Sequence, residues 1–442
     1  MSTTDAVIEL SPPLPWVAFE AMGFVIGLGR EGLILSVASP LSAPLTGLTV
    51  ALVDGPPLHI VGTGQPTSDG HVHFHPDAAG IELVADWRGR LRKAQHIAIC
   101  QTQDVEASDR FTGFEDLHLM PMTLPEIDQA AIDTSVTFLG RRFALPLLIT
   151  GMTGGIEQGA LINRRLARAA ARLNIPMGVG SQRIALEHPQ HAAIFAVKEA
   201  EPDLFLIANL GATQLLDAGR RSLCERAVTM IGADALAIHV NVLQECIQVE
   251  GDRDFRGLLA AIGDVCRYSR VPVLVKEVGA GMDVMTARRL VEVGVAGIDV
   301  GGRGGTSWGY IEGLRSRDDE TRELATTFRN WGIPTAYAVG ALRAALPKLP
   351  VIATGGIRSG LTVAKAVALG ATLAGIGLPL LRAALQNDEA PGAVLATIAR
   401  GLVTAMTACG AHSLDQLEPC LRSSLPGDAE FRAARREAFK TP

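Results

Sequence analysis

The chain has 442 residues, more than one typical domain needs, and 48% of them are hydrophobic, so it can bury a large core. Its formal net charge of −6 argues against nucleic acid as the main partner, although a few local basic residues could still bind a small anion. The six cysteines show neither a CxxC pair nor metal spacing, which is typical of reduced thiols in a cytoplasmic protein.

The beginning of the chain carries no targeting pattern. The first six residues contain no basic side chain, so they do not form the basic region of a secretory signal. The most apolar early run, residues 17–28, contains Glu20 and is too short to cross a bilayer. We therefore expect a cytoplasmic protein without a membrane span.

Residues 1–88 differ in composition from the rest of the chain. They contain only two basic residues, Arg30 and Arg88, and are rich in proline and glycine. Turn signals separate the later of their short β-type runs, which lie at residues 17–26, 32–37, 47–53, 58–61 and 71–75. We predict a small all-β, sandwich-like domain of unknown role over residues 1–88 and a second domain over residues 89–442.

Three histidines alternate on the last of these runs. His71, His73 and His75 share one face of the predicted strand, because successive side chains of a strand point to opposite faces. A His-x-His pattern can bind zinc, but no second ligand group is evident in this domain. A solvated strand face is the favoured interpretation and a metal site is the alternative.

Eight short apolar runs alternate with helical periods from about residue 143 onwards. The runs lie at residues 145–150, 175–180, 204–209, 235–239, 271–276, 297–301, 351–354 and 373–377, and helix-type stretches such as 161–173, 286–293, 336–345 and 363–368 lie between them. This order predicts an α/β fold with a closed (β/α)8 TIM barrel. An open doubly wound sheet is the alternative, because periodicity does not show closure.

Polar residues concentrate directly after the fourth run. A core absorbs unpaired polar groups at a cost of roughly 1–3 kcal/mol each. Loops after barrel strands converge on one face, where barrel enzymes place their chemistry. We therefore expect an active site at the polar loop that carries His239, Asn241, Gln244, Glu245 and Gln248.

A glycine-rich turn after the seventh run is typical of phosphate binding. Thr354-Gly355-Gly356-Ile357-Arg358-Ser359-Gly360 directly precedes an amphipathic helix, and a second cluster lies at residues 301–305. Glycines let backbone N–H groups approach an anion, and a helix N-terminus adds partial positive charge. A plain strand-to-helix turn is the alternative.

Three cationic positions permit both a functional and a structural interpretation. Lys276 ends an apolar strand, where it could pair with Glu277 or Asp299, or place a fixed positive charge beside a flavin ring. Arg92, Lys93 and His96 could clamp a diphosphate, or form a solvated basic turn. Arg183 has the same ambiguity.

Taken together, these motifs resemble the flavin-dependent type 2 isopentenyl-diphosphate isomerases over about residues 90–420. The motifs that carry the resemblance are Arg92-Lys93-x-x-His96, Leu124-Pro125-Glu126, Met152-Thr153-Gly154-Gly155, residues 178–183, the His239–Asp252 stretch, Lys276-Glu277-Val278-Gly279, residues 304–308, residues 331–335 and residues 355–360. Three positions depart from the family pattern, which usually has proline at Val242, histidine at Pro121 and an Ala-Arg-type pair after the last strand, where Gly377-Leu378 stands here.

The resemblance implies a 1,3-allylic proton shift between isopentenyl and dimethylallyl diphosphate. It further implies reduced FMN, Mg2+, NADPH as the reductant and a homo-oligomer of four or more subunits. The implied catalytic residues are Gln244, Lys276 and His239, and Glu245 would hold the metal. The implied substrate contacts are Arg92, Lys93, His96, Arg183 and Asn241, and the implied FMN contacts are Met152, Thr153, Ser181, Asn209, Lys276, Thr306, Gly355, Gly356 and Arg358.

Two rival functions remain at this point. An FMN-dependent 2-hydroxy-acid oxidase or dehydrogenase would have a similar barrel, but it needs a His-Gly-x-Arg motif, and the sequence contains none. A non-catalytic barrel that serves the β domain as a scaffold would not need the polar stretch after the fourth strand.

Overall fold

The structure is a computed structural model that describes residues 8–18, 21–28, 33–37, 45–50, 58–66, 71–152, 154–217 and 219–423. The chain divides into two compact units, of which the first ends at Gln95 and the second begins at His96. This division lies inside a 25-residue helix, α1, that spans Ala78–Thr102. The change in composition near residue 88 therefore falls within a helix, and the sequence signals did not indicate one there.

The first unit contains a closed antiparallel barrel. Its strands are β1 (Ile8–Ala18), β2 (Ala21–Leu28), β3 (Leu33–Val37), β4 (Leu45–Val50), β5 (Leu58–Pro66) and β6 (His71–Pro76). They follow the order β1-β2-β3-β6-β5-β4, and the pairing of β1 with β4 closes the ring. The all-β prediction is confirmed, but the predicted sandwich is wrong, since the strands form one closed sheet. The run predicted at residues 17–26 is also wrong, because it joins the end of β1 to most of β2.

The second unit is a (β/α)8 barrel, as the sequence predicts. Before it come β7 (Leu117–Leu119) and a hairpin of β8 (Val136–Phe138) and β9 (Arg141–Phe143). The eight parallel barrel strands are β10 (Leu147–Ile149), β11 (Met177–Gly178), β12 (Leu206–Gly211), β13 (Ala235–His239), β14 (Val273–Lys276), β15 (Gly297–Asp299), β16 (Val351–Thr354) and β17 (Leu373–Ile376). Pairing of β10 with β17 closes the barrel and excludes the open sheet.

Helices surround these strands, and each predicted helical stretch falls on one of them. The helices are α2 (Glu157–Arg172), α3 (Arg183–Glu187), α4 (Arg220–Ile231), α5 (Val242–Ile247), α6 (Leu258–Tyr268), α7 (Val284–Glu292), α8 (Trp308–Arg315), α9 (Asp319–Thr327), α10 (Thr335–Ala345), α11 (Gly360–Leu369), α12 (Leu378–Gln386) and α13 (Ala390–Ala408). A last strand, β18 (Leu421–Ser423), pairs with β7.

Helix α13 is the one described helix that is long and apolar enough, by length and composition alone, to cross a membrane. It packs against α11 and α12, and Leu395, Ile398 and Leu402 are buried. A Cβ added to Gly360 would lie 2.1 Å from the backbone nitrogen of Leu402, so α11 and α13 are in close contact.

The amino end of the barrel is filled by aromatic side chains. Phe138 and Phe143 of the β8–β9 hairpin are buried and contact Phe205 edge-on, with ring centroids 6.3 and 5.4 Å apart. They form a core cluster with inward-facing side chains of the strands, including Leu148 and Ile207. These side chains fill the barrel interior at its amino end, and barrel enzymes place their chemistry at the opposite, carboxyl end.

Candidate active site

A cleft lies at the carboxyl ends of the barrel strands. Six of the nine residues predicted to contact FMN line it: Met152, Lys276, Thr306, Gly355, Gly356 and Arg358. Further lining residues come from neighbouring strand ends, namely Thr150, Gly151, Gly301, Gly302, Trp308, Thr354, Gly375 and Gly377. Thr153, the seventh predicted contact, lies outside the described residues.

The glycine-rich turns of this cleft fit a phosphate group. Gly355 and Gly356 have φ angles of +119° and +73°, a backbone conformation that residues other than glycine rarely adopt. A Cβ at Gly305 would lie 2.5 Å from the amide nitrogen of Gly356, so the two turns touch through backbone alone. Ser359 caps α11 by accepting a hydrogen bond from the Thr362 amide, so the helix N-terminus directly follows this turn.

Lys276 supplies a buried positive charge to the cleft. It is 9% exposed, and its Nζ donates a hydrogen bond to the carbonyl oxygen of Glu277 at 3.0 Å. In the sheet it is the register partner of His239 on one side and Asp299 on the other. Burial raises the pKa of Asp299, and the Lys276 charge opposes that rise. Lys276 therefore bonds to the backbone of Glu277, and its charge acts on the neighbouring carboxyl of Asp299.

Glu277 organises the loop after β14 with a single oxygen atom. Its Oε2 accepts hydrogen bonds from the amides of Val278, Gly279 and Ala280 at 2.5–2.6 Å and from Gly281 at 3.2 Å. Burial raises the pKa of this carboxyl to about 7, against the opposing effect of those amides and of Lys276. The carboxyl group thus fixes the backbone of one wall of the cleft.

The polar stretch after β13 is a short helix, α5, although the sequence suggests a loop. The Oε1 atom of Glu245 accepts a hydrogen bond from Asn241 Nδ2 at 2.8 Å, and its Oε2 accepts one from the Asp252 amide at 2.9 Å. Asn241 Nδ2 also donates to Gln244 Oε1 at 3.2 Å. Val242, where the family has proline, is the first residue of α5, a position at which proline loses no helix hydrogen bond.

Glu312 joins this stretch to His96, and no pattern in the sequence indicates this contact. Its side chain is 1% exposed, and its Oε1 lies 3.0 Å from His96 Nε2 and 2.7 Å from Gln244 Nε2. The His96 ring contacts Trp308 edge-on at a centroid distance of 5.5 Å. These partners are 216 and 68 residues away in the chain, so no local pattern could indicate the cluster.

The remaining predicted contacts lie on strand ends beside the cleft. Asn209 Oδ1 accepts a hydrogen bond from His239 Nδ1 at 2.8 Å, and Asn209 Nδ2 donates to the Val179 carbonyl oxygen. A Cβ at Gly151, which lines the cleft, would lie 3.2 Å from Asn209 Nδ2. Ser181 lies between β11 and α3, among the residues that do not line the cleft.

Two groups of predicted cations occupy different units. Arg183 begins α3 and donates a hydrogen bond from Nε to Glu187 Oε1 at 2.8 Å. Burial lowers the pKa of Arg183, but the carboxylates of Glu187, Asp252 and Glu245 outweigh burial, so the pKa is raised overall. Arg92 and Lys93 lie on α1 in the first unit, so they are on a helix and the predicted basic turn is wrong.

The N-terminal histidines face outward. His73 and His75 are exposed on β6, whereas Val72 and Phe74 between and beside them are buried, as the alternation predicts. Within the described part of the chain, no three His, Cys, Asp or Glu side chains are arranged to hold a metal ion. The solvated strand face remains the favoured interpretation.

The fold and the cleft define an α/β barrel with glycine-rich turns and a buried cation at its carboxyl face. The sequence pattern of the FMN-dependent dehydrogenase family matches residues 90–240 and 255–423. The chain belongs to this family, and within it to the type 2 isopentenyl-diphosphate delta-isomerases.

The assignment to the isopentenyl-diphosphate delta-isomerases rests on curated relatives. Isopentenyl-diphosphate delta-isomerase of Nostoc sp. is 46% identical over 74% of this chain and 93% of its own. The Thermococcus onnurineus enzyme of the same name is 46% identical over 74% and 89%, and that of Xanthobacter autotrophicus is 47% identical over 74% and 95%.

Solved structures of mandelate oxidase share the fold. A form with bound benzoyl-formic acid superposes with a TM-score of 0.51 at 22% identity, over 78% of this chain and 98% of that chain. A form with (S)-mandelic acid has a TM-score of 0.52 at 21% identity, with the same coverage. At such identity the likeness shows the barrel fold and no more.

Proposed function

We propose that this protein interconverts isopentenyl and dimethylallyl diphosphate by a 1,3-allylic proton shift, with FMN and Mg2+ bound at the barrel mouth. The observation that carries the proposal is the 46% identity to an isopentenyl-diphosphate delta-isomerase over 93% of that enzyme's length. The cleft supports it, because six of the predicted FMN contacts line one cavity.

The cleft has what FMN requires. The backbone of Gly355 and Gly356 and the N-terminus of α11 would hold its phosphate, and Lys276 would lie by the ring. When bound in its reduced form, FMN supplies an acid–base group for an unactivated alkene, which ordinary side chains protonate poorly. Lys276 would stabilise negative charge there. We propose NADPH as the source of the reducing electrons.

The cluster after β13 would bind the diphosphate end of the substrate. Glu245 offers a hard carboxylate oxygen, which with phosphate oxygens and water suits Mg2+. His239, Asn241 and Arg183 would position the phosphate groups. Arg92 and Lys93 would add contacts of the same kind, and for these two the support is the sequence motif alone.

Gln244 would stand at the reacting carbons. Its amide is held between Asn241 and the buried carboxylate of Glu312, so it presents a fixed orientation to a substrate. His96 shares that carboxylate and contacts Trp308, a lining residue of the cleft. The chain's own side chains would orient the alkene and hold a proton-transfer partner in place.

An anaerobic assay tests the proposal. The protein is incubated with FMN, NADPH, Mg2+ and isopentenyl diphosphate, and the appearance of dimethylallyl diphosphate is measured. We expect turnover that depends on each addition. Absence of product together with flavin reduction by mandelate or lactate would identify a 2-hydroxy-acid oxidase, and absence of bound flavin would indicate a scaffold. We further propose a cytoplasmic homo-oligomer, which light scattering can check.

A further inference from the structure

Arg315 is a buried cation at the end of α8, and it has no role in the site described above. Its side chain is 7% exposed. One arm of its guanidinium bonds to Glu312 Oε2, and the other lies 3.2 Å from Glu250 Oε1. Glu250 follows α5 in the chain, so Arg315 links α8 to the segment that carries the proposed metal and substrate contacts.

Arg315 is one of the groups that keep Glu312 ionised. A carboxyl that is 1% exposed would ordinarily take up a proton, since burial raises its pKa. Here His96, Arg315 and Gln244 outweigh burial and hold the pKa of Glu312 well below its usual range. His96 contributes a charge only when it is protonated, whereas a guanidinium is always charged. Arg315 is therefore the partner that acts at every working pH.

The charge on Glu312 determines which way the Gln244 amide points. An ionised carboxylate only accepts hydrogen bonds, so the NH2 group of Gln244 must face Glu312, at 2.7 Å. The Gln244 carbonyl oxygen then faces Asn241 Nδ2, at 3.2 Å. A protonated Glu312 could donate instead, and the amide could turn by half a rotation.

We infer that Arg315 is a positioning residue, which fixes the orientation of the Gln244 amide through Glu312 and ties α8 to the segment after α5 through Glu250. The inference rests on the proposed function only in assigning Gln244 to the reacting end of the substrate. Its contacts, and the ionisation of Glu312, belong to the protein itself.

A double-mutant cycle tests the positioning role. We expect R315M to lower kcat by about 10- to 100-fold while KM for isopentenyl diphosphate changes less than about threefold, since the amide loses its orientation. E312Q should have a similar effect, and R315M/E312Q should be no worse than either single variant, because both act through one group. R315K keeps the charge and should recover most of kcat.

The control is R165M. Arg165 lies on α2, has a side chain that is 17% exposed and binds Asp388 at 2.6 Å, and it is not among the residues that line the cleft. It should change neither kcat nor KM. Additive losses in the double variant, or an R315M that only lowers the melting temperature, would overturn the inference. If R315M does not fold, R315Q, which also removes the charge, is placed in the wild-type and E312Q backgrounds instead, and an equal loss of kcat in both would be contrary to the inference.

An infrared measurement separates this inference from the proposed function. The difference spectrum between the FMN-loaded wild type and E312Q isolates the Glu312 carboxyl, and we expect a carboxylate band. The difference between R315M and R315M/E312Q should show a protonated carboxyl band instead. A carboxylate in R315M would refute the role of Arg315. If the expected bands appear in a protein that fails to isomerise the substrate, only the proposed function fails.

Discussion

At the scale of single residues, Glu277 holds a cleft wall through one buried carboxyl group. Four consecutive amides, from Val278 to Gly281, donate to its Oε2, so one carboxyl oxygen anchors the whole loop. In the sequence, Glu277 is only a polar residue next to Lys276. The anchor becomes evident when the loop turns back on the side chain, which no spacing in the sequence encodes.

We predict that Glu277→Gln flattens the pH dependence of stability. Burial raises the pKa of this carboxyl from 4.5 to about 7 in the folded protein. Between these values the folded state holds a proton that the unfolded chain has lost, so the free energy of unfolding falls as pH rises through that window. Glutamine keeps an acceptor oxygen but does not titrate. Urea unfolding at several pH values measures the difference, and parallel curves for both proteins would contradict the assignment.

Glu245 is predicted to be the main protein contact to Mg2+. Glu245→Gln removes the negative charge but keeps an oxygen that Asn241 can still reach. We expect the Mg2+ concentration for half-maximal activity to rise by at least about tenfold, whereas FMN stays bound. Glu292→Gln, an exposed position on α7, is the matched control. An unchanged metal response would exclude the role.

Variants of the residues assigned to the two ends of the substrate should change different kinetic constants. Gln244→Ala removes a group at the alkene and should mainly lower kcat, by about 100-fold or more. Arg92→Ala and Lys93→Ala remove charges meant for the diphosphate and should mainly raise KM, by about tenfold each. Steady-state rates over a range of isopentenyl diphosphate concentrations decide this. The reverse pattern would mean that the two ends are exchanged.

At the scale of elements, the strand-to-helix turns determine what the barrel can bind. The eight runs were predictable because buried parallel strands are short, apolar and followed by glycine or polar residues. The network around Glu312 was not predictable from the sequence. The pattern of α8 is that of an ordinary amphipathic helix, and the partners of Glu312 come from α1 and α5. The closure of β1 onto β4 was equally hidden, because alternation along a strand does not specify which strand pairs with which.

The turn after β16 offers the sharpest test of the phosphate cradle. Gly356→Ala places a Cβ at a φ of +73° and 2.3 Å from Thr112 Cγ2, so both backbone and packing are strained. We expect the dissociation constant of FMN to rise by about 10- to 100-fold, measured by fluorescence titration. Gly392→Ala is the control, because Gly392 lies in α13 with nothing within 4 Å of the added atom. It should leave FMN affinity unchanged, and equal affinity in both variants would rule out the cradle.

At the scale of the whole molecule, two units with separate cores share one chain. The N-terminal barrel has its own interior, with Val25, Leu35, Val50 and Phe74 fully buried. The family pattern begins only at residue 90, and 74% of this chain matches 93% of the Nostoc enzyme. The matched region thus makes up nearly all of that relative, so the N-terminal barrel lies outside the part that the two proteins share.

We therefore predict that a protein beginning at Ala78 still folds, binds FMN and isomerises isopentenyl diphosphate. This boundary keeps α1 whole, whereas a cut near residue 88 would divide the helix and expose its apolar positions. The expected kcat is within about twofold of the full chain, because Gln244, Glu245 and Lys276 all lie in the second unit. Flavin absorbance and the melting temperature report folding separately from turnover. A shortened protein that is yellow and folded, yet inactive at saturating substrate, would show that residues 1–77 contribute to the active site.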